Sequence, residues 1–200
     1  PTAAWPCRQP RGRGRSRKVA RMRTSKRQRI LDAAVAVINR EGVRAVTFES
    51  VAAEAQLTRG GLLYHFPSRE ALLRGIDEHL VQQWEASMEV LLGKRAEEAS
   101  ALERYQTFVR VSAQSATRAE LLFMLESMDP EAGERPWAPV MERWAPAPPV
   151  SVDDAAGMDR FVARLAADGL WIYEAMYEGK LEPALRAQVA ERIAGLLAKP

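Results

Sequence analysis

Two short helical segments separated by a tight turn lie between residues 47 and 66, and they constrain the fold more than any other feature of the sequence. Thr47 and Thr58 are residue types that favour helix N-caps, and each one precedes a short run with apolar residues at helical spacing. Pro67 and Ser68 then interrupt the pattern. Two short helices joined in this way predict a helix-turn-helix.

A longer amphipathic helix precedes this pair. From residue 26 onward, apolar side chains recur at i, i+3, i+4 and i+7, and Gly42 stands in a typical C-terminal position. The residues that can pack the pair on this helix are Phe48, Val51, Ala52, Ala55, Leu57, Leu62 and Phe66. The positions left for the exposed side are Thr58, Arg59, Gly61 and His65.

Helical periodicity continues to the end of the chain, and no segment shows the convincing alternation of a strand. Ser68 is a good N-cap for a long helix with Glu70 in its first turn. The predicted helices of this part are 68–92, 100–117, 118–128, 137–144, 153–177 and 182–199, with a loop at 146–152. We therefore predict an all-α protein.

Charge divides the chain into three parts. Residues 1–25 carry eight Lys or Arg and no acid, residues 26–75 carry eight basic and five acidic residues, and residues 76–200 carry thirteen basic and twenty-one acidic residues. We interpret them as a disordered basic tail, a helix-turn-helix DNA-binding domain and a helical domain for ligand binding and dimerisation. A basic front and an acidic rear predict a polyanionic partner at the front.

Two interpretations of the tail stay open. Met22 directly precedes the point where the compact part begins, and this favours translation from Met22 in the cell, with residues 1–21 outside the native protein. Alternatively, the tail is a DNA-binding arm, because arginines in a flexible arm can enter a minor groove or neutralise phosphates.

Composition argues against several other classes of protein. No apolar run approaches the ~18 residues of a membrane span, and no apolar signal segment follows the basic N-terminus. One Cys cannot form an internal disulfide, and with two His it makes a structural zinc site improbable. Neither a catalytic triad, a phosphate-binding glycine loop nor a metal cluster is recognisable. We expect a cytoplasmic protein that is not an enzyme, uses no cofactor and has no membrane partner.

Several short motifs are distributed between residues 29 and 73. They are I-L-x-A-A at 30–34, Gly42, Thr47, V-A-x-x-A at 51–55, L-T-R-G at 57–60 and Y-H-F-P-S-R-E-A-L-L at 64–73. Together they resemble the DNA-binding domain of the TetR family of repressors. Residues 22–26, 61–69 and 165–170 are also similar to the CgmR-type multidrug-responsive members. One position departs from the pattern, because Leu63 stands where many members have a phosphate-contacting Tyr.

The resemblance implies roles for the matching residues. Thr47 would offer its hydroxyl and helix-end amides to a phosphate, and Arg59 would read guanine through O6 and N7. The other implied DNA contacts are Thr58 and Gly61 at base edges or the sugar-phosphate wall, and Tyr64, His65 and Arg69 at phosphates. The alternatives are packing within the domain for Tyr64 and His65, and a solvated position for Arg69.

Large aromatic and Met side chains are concentrated behind the DNA-binding domain. Such residues line adaptable apolar pockets well, although for any one of them alone a position in the core is the better interpretation. The candidate ligand-binding residues are Phe108, Phe123, Met124, Trp144 and Trp171. An acidic side chain facing the pocket would favour a lipophilic cation. The acidic candidates are Glu126, Asp129, Asp168 and Glu174.

The last two helices carry apolar residues at helical spacing, and TetR-family members dimerise through a four-helix bundle made this way. We predict a ligand-responsive repressor that binds a palindromic operator in double-stranded DNA as a homodimer. A small hydrophobic or cationic molecule would release it. The alternative is an architectural DNA-binding protein without a ligand, which would show steep salt dependence and no preferred palindrome. The sequence is silent on repression against activation.

Overall fold

Residues 25–114, 117–126, 136–176 and 181–197 are described by a computed structural model. Within these residues the chain forms α-helices and two short 3-10 helices, and no strand, which confirms the all-α prediction. The helices are α1 (Lys26–Glu41), α2 (Phe48–Ala55), α3 (Arg59–His65), α4 (Arg69–Leu92), α5 (Ala101–Ser112), α6 (Arg118–Glu126), α7 (Trp137–Trp144), α8 (Ala155–Met176) and α9 (Pro183–Leu196). The predicted basic tail lies outside the described residues, apart from Ser25.

Side-chain caps begin α2, α3 and α4 at the residues that the sequence indicates. The hydroxyls of Thr47, Thr58 and Ser68 each accept a backbone N–H from the third residue of the helix that follows, at 3.0 to 3.1 Å. One such cap contributes about 1 kcal/mol. At the other end of α1, Gly42 has φ +88°, a conformation that favours glycine. The predicted boundaries of α1, α2 and α3 are therefore confirmed.

The front of the molecule consists of α1 to α3 and the start of α4. α2 packs on α1, and α3 packs on α2, with Val51 and Leu62 fully buried between them. The turn between α2 and α3 is made by Gln56 in the left-handed conformation, and the N–H of Leu57 donates to the carbonyl of Ala52 at 2.9 Å. This turn fixes the direction of α3, so that one side of it packs and the other faces outward.

The rear of the molecule is organised around α5, which contacts α4, α7, α8 and α9. Phe108 of α5 is fully buried, and its ring is edge-on to that of Trp84, with ring centroids 5.8 Å apart. The predicted helix 100–117 ends at Ser112, because a tight turn from Val111 to Gln114 closes it. α8 begins after Asp154, whose carboxylate accepts the N–H of Gly157 at 2.7 Å.

Polar contacts connect the front to the rear at α4 and at α6. His79 of α4 is only 4% exposed and pairs with Asp32 of α1 at 2.9 Å. At the start of α6, the N–H of Ala119 donates to the side chain of Asn39 in α1 at 2.9 Å. Both α4 and α6 therefore link the DNA-binding domain to the rear domain. No helix of the described residues is long and apolar enough to cross a membrane.

Candidate nucleic-acid interface

The outward side of α3 carries most of the predicted DNA contacts. Thr58, Arg59 and Tyr64 are exposed and His65 is half-buried, whereas Leu62 lies in the core. Tyr64 is 86% exposed, so the alternative that it packs inside the domain does not hold. Its ring lies edge-on to the imidazole of His65, with centroids 5.2 Å apart. The polar ends of these side chains are therefore available to a molecule that approaches α3.

A groove of about 560 Å³ runs beside α3. It brings together four of the predicted contacts, Thr58, Gly61, Tyr64 and His65, with three residues that the sequence analysis missed, Lys26, Gln56 and Leu57. Lys26 is the first residue of α1 and adds a positive charge to the rim. The position of Lys26 beside the groove follows only from the fold, since Lys26 is 32 positions from Thr58 and no local pattern relates the two.

Thr47 lies at the exposed start of α2, but its groups are already engaged. Its Oγ accepts the N–H of Ser50 at 3.0 Å, and its own N–H donates to the hydroxyl of Ser50 at 3.0 Å. The amides left without an intrahelical acceptor are those of Phe48 and Glu49. The Glu49 carboxylate in the same turn repels a phosphate, so this helix end is a weaker anion site than Thr47 suggests.

Arg59 is the first residue of α3, and its guanidinium pairs with Glu49 of α2. The Arg59 Nε and a Glu49 carboxylate oxygen are 3.1 Å apart, and the two side chains are 65% and 67% exposed. The predicted base-reading residue is thus presented to solvent, with one edge of its guanidinium occupied by a carboxylate. The sequence analysis did not single out Glu49, because the contact depends on the crossing of two helices.

The two consecutive glycines of α3 differ in what surrounds them. A Cβ at Gly61 would lie 3.2 Å from the Thr58 hydroxyl oxygen that caps the helix, so the cap accounts for that glycine. A Cβ at Gly60 would have no atom within 4 Å, and Gly60 is exposed. Glycine inside a helix costs about 1 kcal/mol relative to Ala. The described fold gives no reason for this cost at Gly60.

Arg69 begins α4 beside the start of α2. Its Nε donates to the backbone carbonyl of Val46 at 3.2 Å, although the side chain is exposed. This contact ties α4 to the residue that precedes Thr47. Arg69 therefore has a structural role, and its contact with a phosphate stays a prediction.

The candidate ligand residues differ in how deeply they are buried. Phe108, Phe123 and Trp144 are buried in the core, and the indole N–H of Trp144 donates to Glu85 at 3.0 Å. Trp171 is half-buried on α8. The side chain of Met124 lies outside the described residues. For the buried aromatics, packing in the core is the simpler interpretation.

Two buried carboxylates in the rear domain were not predicted. Glu120 of α6 accepts the backbone N–H and hydroxyl of Thr117 at 2.9 and 2.8 Å, and Trp171 also donates a hydrogen bond to it. Burial raises the pKa of Glu120. Burial likewise raises the pKa of Asp77, although a hydrogen bond from the indole of Trp137 opposes this.

The acids that were predicted have other partners. Glu174 accepts from the backbone of Leu181 and from Arg186, at 3.1 and 3.3 Å, and so closes the connection of α8 to α9. Asp168 lies beside Arg164, one turn away on α8. Asp129 and the side chain of Glu126 lie outside the described residues. Glu120 is therefore a buried carboxylate in direct contact with a candidate ligand residue, Trp171.

Comparison with known families matched two parts of the chain. Residues 30–76 match the model described as bacterial regulatory proteins, tetR family. Residues 102–198 match the model described as tetracyclin repressor-like, C-terminal domain. A search of curated protein sequences gave no match.

Solved structures with a similar fold include regulators bound to ligands. A Streptomyces coelicolor A3(2) protein described as a transcriptional regulator has a TM-score of 0.55 and 21% identity over 87% of this chain and 99% of its own. The multidrug binding protein EbrR, complexed with imidazole, has a TM-score of 0.52 and 19% identity over 88% and 97%. AibR, in complex with isovaleryl coenzyme A and operator DNA, has a TM-score of 0.57 and 20% identity over 86% and 98%.

At these identities the structural likeness shows the fold, and the two family matches show the family. They cover the helix-turn-helix and most of the rear domain. This chain belongs to the TetR family of transcriptional regulators, with an N-terminal helix-turn-helix DNA-binding domain and a C-terminal ligand-binding domain.

Proposed function

We propose that this protein is a repressor that binds a palindromic operator as a homodimer and leaves it when a small hydrophobic or cationic molecule binds. Regulators of this family bind DNA operators and small-molecule effectors, typically as dimers, and are generally not enzymes. The observation that carries the proposal is the outward side of α3, where Thr58 and Tyr64 line a groove and Arg59 is exposed. Its polar donors and cations suit a polyanion.

The exposed glycine of α3 supports a close approach to DNA. Because the described fold does not require Gly60, a requirement imposed by a partner explains it best. Without a Cβ, the backbone can lie against the wall of a major groove, which is wide enough to admit a helix. Thr47, Thr58, Gly61, Tyr64, His65 and Arg69 are proposed contacts in the same sense, and Arg59 is the proposed base reader.

Homodimerisation is supported by an apolar face of α8. Its residues lie at spacings of three, four and seven along this helix of 22 residues, and all are exposed in one chain. They are Met158, Val162, Leu165, Ile172 and Met176. An apolar stripe of this kind marks a protein interface. Paired with α9, it is suited to a four-helix bundle with a second copy, which would place two reading helices on two half-sites.

For the effector, the similar protein EbrR, described as a multidrug binding protein and complexed with imidazole, supports a small organic molecule of apolar or cationic character. We place the ligand site in the rear domain near Trp171, with Phe123 and Met124 of α6. Phe108 and Trp144 belong to the same group of candidates, but they are fully buried and would form its floor. The likeness to CgmR-type members stays a prediction.

Ligand binding would act through the two links between the domains. A ligand that prefers one arrangement of α4 and α6 changes the separation of the two reading helices, because α4 contacts α1 through His79 and α6 contacts α1 through Asn39. The free energy of operator binding then weakens by at most the difference between the free energies of ligand binding to the two arrangements.

Selection of bound DNA from a random pool, repeated with tetraphenylphosphonium, a lipophilic cation that does not intercalate, tests the proposal. We expect a palindrome in the absence of the cation and less recovered DNA in its presence. Binding that depends steeply on salt and shows no palindrome would favour the architectural alternative. A palindrome that neither this nor another lipophilic cation releases would contradict the proposed class of effector.

Arg59→Ala tests the assignment of the reader in the same assay. Loss of a base-reading arginine costs about 1–3 kcal/mol, which is roughly a 5- to 150-fold weaker operator complex, and it relaxes the preference at one base pair. Arg95→Ala is the matched control, because Arg95 is an exposed arginine of the rear domain. Equal operator binding by Arg59→Ala and the control would reject Arg59 as a reader.

A further inference from the structure

The ion pair between Glu49 and Arg59 joins the start of α2 to the start of α3. A Glu49 carboxylate oxygen lies 3.1 Å from the Arg59 Nε, and about two thirds of each side chain is exposed. Glu49 stands in the first turn after the Thr47 cap, and Arg59 directly follows the Thr58 cap. The pair therefore lies on the side of the helix-turn-helix that faces outward.

Stability does not account for this pair. Exposed ion pairs contribute little to folding, and salt screens them. α2 and α3 are already held by their caps and by Val51 and Leu62, which are fully buried. What the pair does determine is the direction of a long arginine side chain, which would otherwise sample many rotamers.

The geometry of the guanidinium gives that direction a consequence. The nearest approach is between Nε and the carboxylate, as an ion pair without a hydrogen bond, so the two terminal nitrogens remain for another acceptor. Two parallel N–H donors match O6 and N7 of guanine in the major groove. Attraction to Glu49 on the Nε side thus favours orientations of Arg59 in which its terminal edge faces away from the carboxylate and towards a base.

We propose that Glu49 is a positioning residue that determines specificity, because its carboxylate holds Arg59 in the orientation that reads guanine. The inference rests on the proposed function, in which α3 lies in the major groove. It assigns Glu49 no contact with DNA. Its effect passes through Arg59.

The charge of Glu49 predicts a second effect: it lowers the affinity for all DNA, whereas its positioning of Arg59 raises discrimination between sequences. A carboxylate at the DNA-facing side repels phosphates, and this repulsion is independent of sequence. Glu49 therefore weakens binding to all DNA while it strengthens discrimination between sequences, as a negative element often does. A residue with a merely structural role would not move these two quantities in opposite directions.

Competition binding by fluorescence anisotropy tests the proposal with the full chain. The probes are the selected operator, the same operator with the G·C pair read by Arg59 changed to A·T, and a random duplex. For Glu49→Gln we expect discrimination between the first two duplexes to fall by about five- to tenfold, because the bidentate contact of Arg59 forms less often. Binding to the random duplex should tighten by about two- to fivefold.

Glu54→Gln is the matched control. Glu54 also lies on α2, carries the same charge and pairs with an arginine, Arg40, at 3.1 Å, so the substitution removes the same charge without touching Arg59. We expect it to keep the discrimination of the wild-type protein. Thermal melting of both variants checks the fold, and Glu49→Asp, which keeps the charge, should restore part of the discrimination.

The outcomes separate this inference from the proposed function. If Arg59→Ala discriminates as well as the wild-type protein, the proposed reader itself is wrong. If Arg59→Ala loses discrimination and Glu49→Gln keeps it, only the positioning role fails. Tighter operator binding by Glu49→Gln with full discrimination would mean that Glu49 merely competes with DNA for Arg59. In the double variant we expect no loss beyond that of Arg59→Ala.

Discussion

The outward sides of α3 and α8 are built from opposite kinds of residue. The side of α3 is short, carries hydroxyl, guanidinium and imidazole groups, and includes an exposed glycine. The side of α8 is three times longer and presents a stripe of exposed aliphatic side chains. A polar side with room for close approach suits a hydrated polyanion, whereas an apolar stripe suits another protein.

Helix ends are capped locally behind both surfaces, by Thr58 at the front and by Asp154 at the rear, each three residues before its partner. The rear domain also buries carboxylates, and one of them joins distant segments, since Asp77 of α4 accepts the indole N–H of Trp137. The rear domain depends on contacts between helices, which a ligand can rearrange.

A charge on the apolar stripe of α8 should produce the largest effect. Leu165 is 54% exposed, so Leu165→Glu leaves the fold of one chain intact but buries a carboxylate in the proposed dimer interface. We expect a monomer by light scattering at micromolar concentration. Operator affinity should fall by more than about 100-fold, because two linked half-sites act together.

Val90→Glu is the control for this prediction. Val90 is 83% exposed on α4, which lies outside the proposed interface, so the same change there should leave the dimer and its operator affinity unchanged. A dimeric Leu165→Glu variant that binds the operator normally would remove α8 from the interface. The exposed apolar stripe of α8 would then need an occupant other than a second copy of this chain.

Sequence predicted the front domain far better than the rear. Ser68 and the long helix after it, to Leu92, are confirmed, because caps and glycine stops act within a few residues. The Glu49 contact to Arg59 and the place of Lys26 in the groove were beyond reach, since each depends on how two helices cross. The burial of His79 beside Asp32 of α1 depends on helix packing in the same way.

Apolar composition behind the front domain was a weaker guide. The concentration of aromatics lies in the part of the chain that matches the C-terminal family domain, but it did not distinguish a pocket from a core. Phe108 and Trp144 show the difficulty, because a buried aromatic in a core and one in a pocket wall have the same sequence signature. The buried Glu120 had no signal at all, since an acid in a helix is usually solvated.

Gly60→Ala tests whether the glycine at this position allows the backbone of α3 to approach DNA closely. The substitution meets no atom of the described fold, so it should raise the free energy of unfolding by about 0.5–1 kcal/mol. Operator affinity should fall, by roughly tenfold for a loss of about 1.4 kcal/mol, because the added methyl group holds the backbone away from the groove wall. Chemical denaturation and anisotropy measure the two effects.

Gly61→Ala is the comparison for this variant. Its Cβ would press on the Thr58 hydroxyl, so we expect no gain in stability there. If Gly60→Ala is more stable and binds the operator as tightly as the wild-type protein, Gly60 is an ordinary helical glycine and gives no support to a DNA interface.

Glu120→Gln examines the buried polar groups of the rear domain. Burial raises the pKa of Glu120 above its ordinary 4.5, so the folded state retains a proton that the unfolded state releases. The wild-type protein therefore loses stability as the pH rises from about 4.5 through the folded pKa. The variant lacks this group, and its stability relative to wild type should increase across that window, by about 1.4 kcal/mol for each unit of pKa difference.

Denaturation of both proteins at a series of pH values measures this difference. Only the slope with pH is interpreted, because the Gln amide can also lose the hydrogen bond from Trp171. Glu97→Gln is the control, since it removes an exposed carboxylate of the same domain. Parallel curves for Glu120→Gln and wild type would show that Glu120 is charged in both states.

Gln56→Gly should have the smallest effect on the free energy of unfolding, through the turn between α2 and α3. Gln56 ends α2 with φ +55°, a conformation that costs a residue with a side chain about 1 kcal/mol. Glycine relieves that cost but gives the unfolded chain more freedom, so we expect the free energy of unfolding to rise by a few tenths of a kcal/mol.

Gly93 ends α4 with φ +75°, and the reciprocal Gly93→Gln should be destabilising. Because Gln56 also lines the groove beside α3, weaker operator binding by Gln56→Gly would make it a DNA contact, whereas unchanged binding would limit it to the turn.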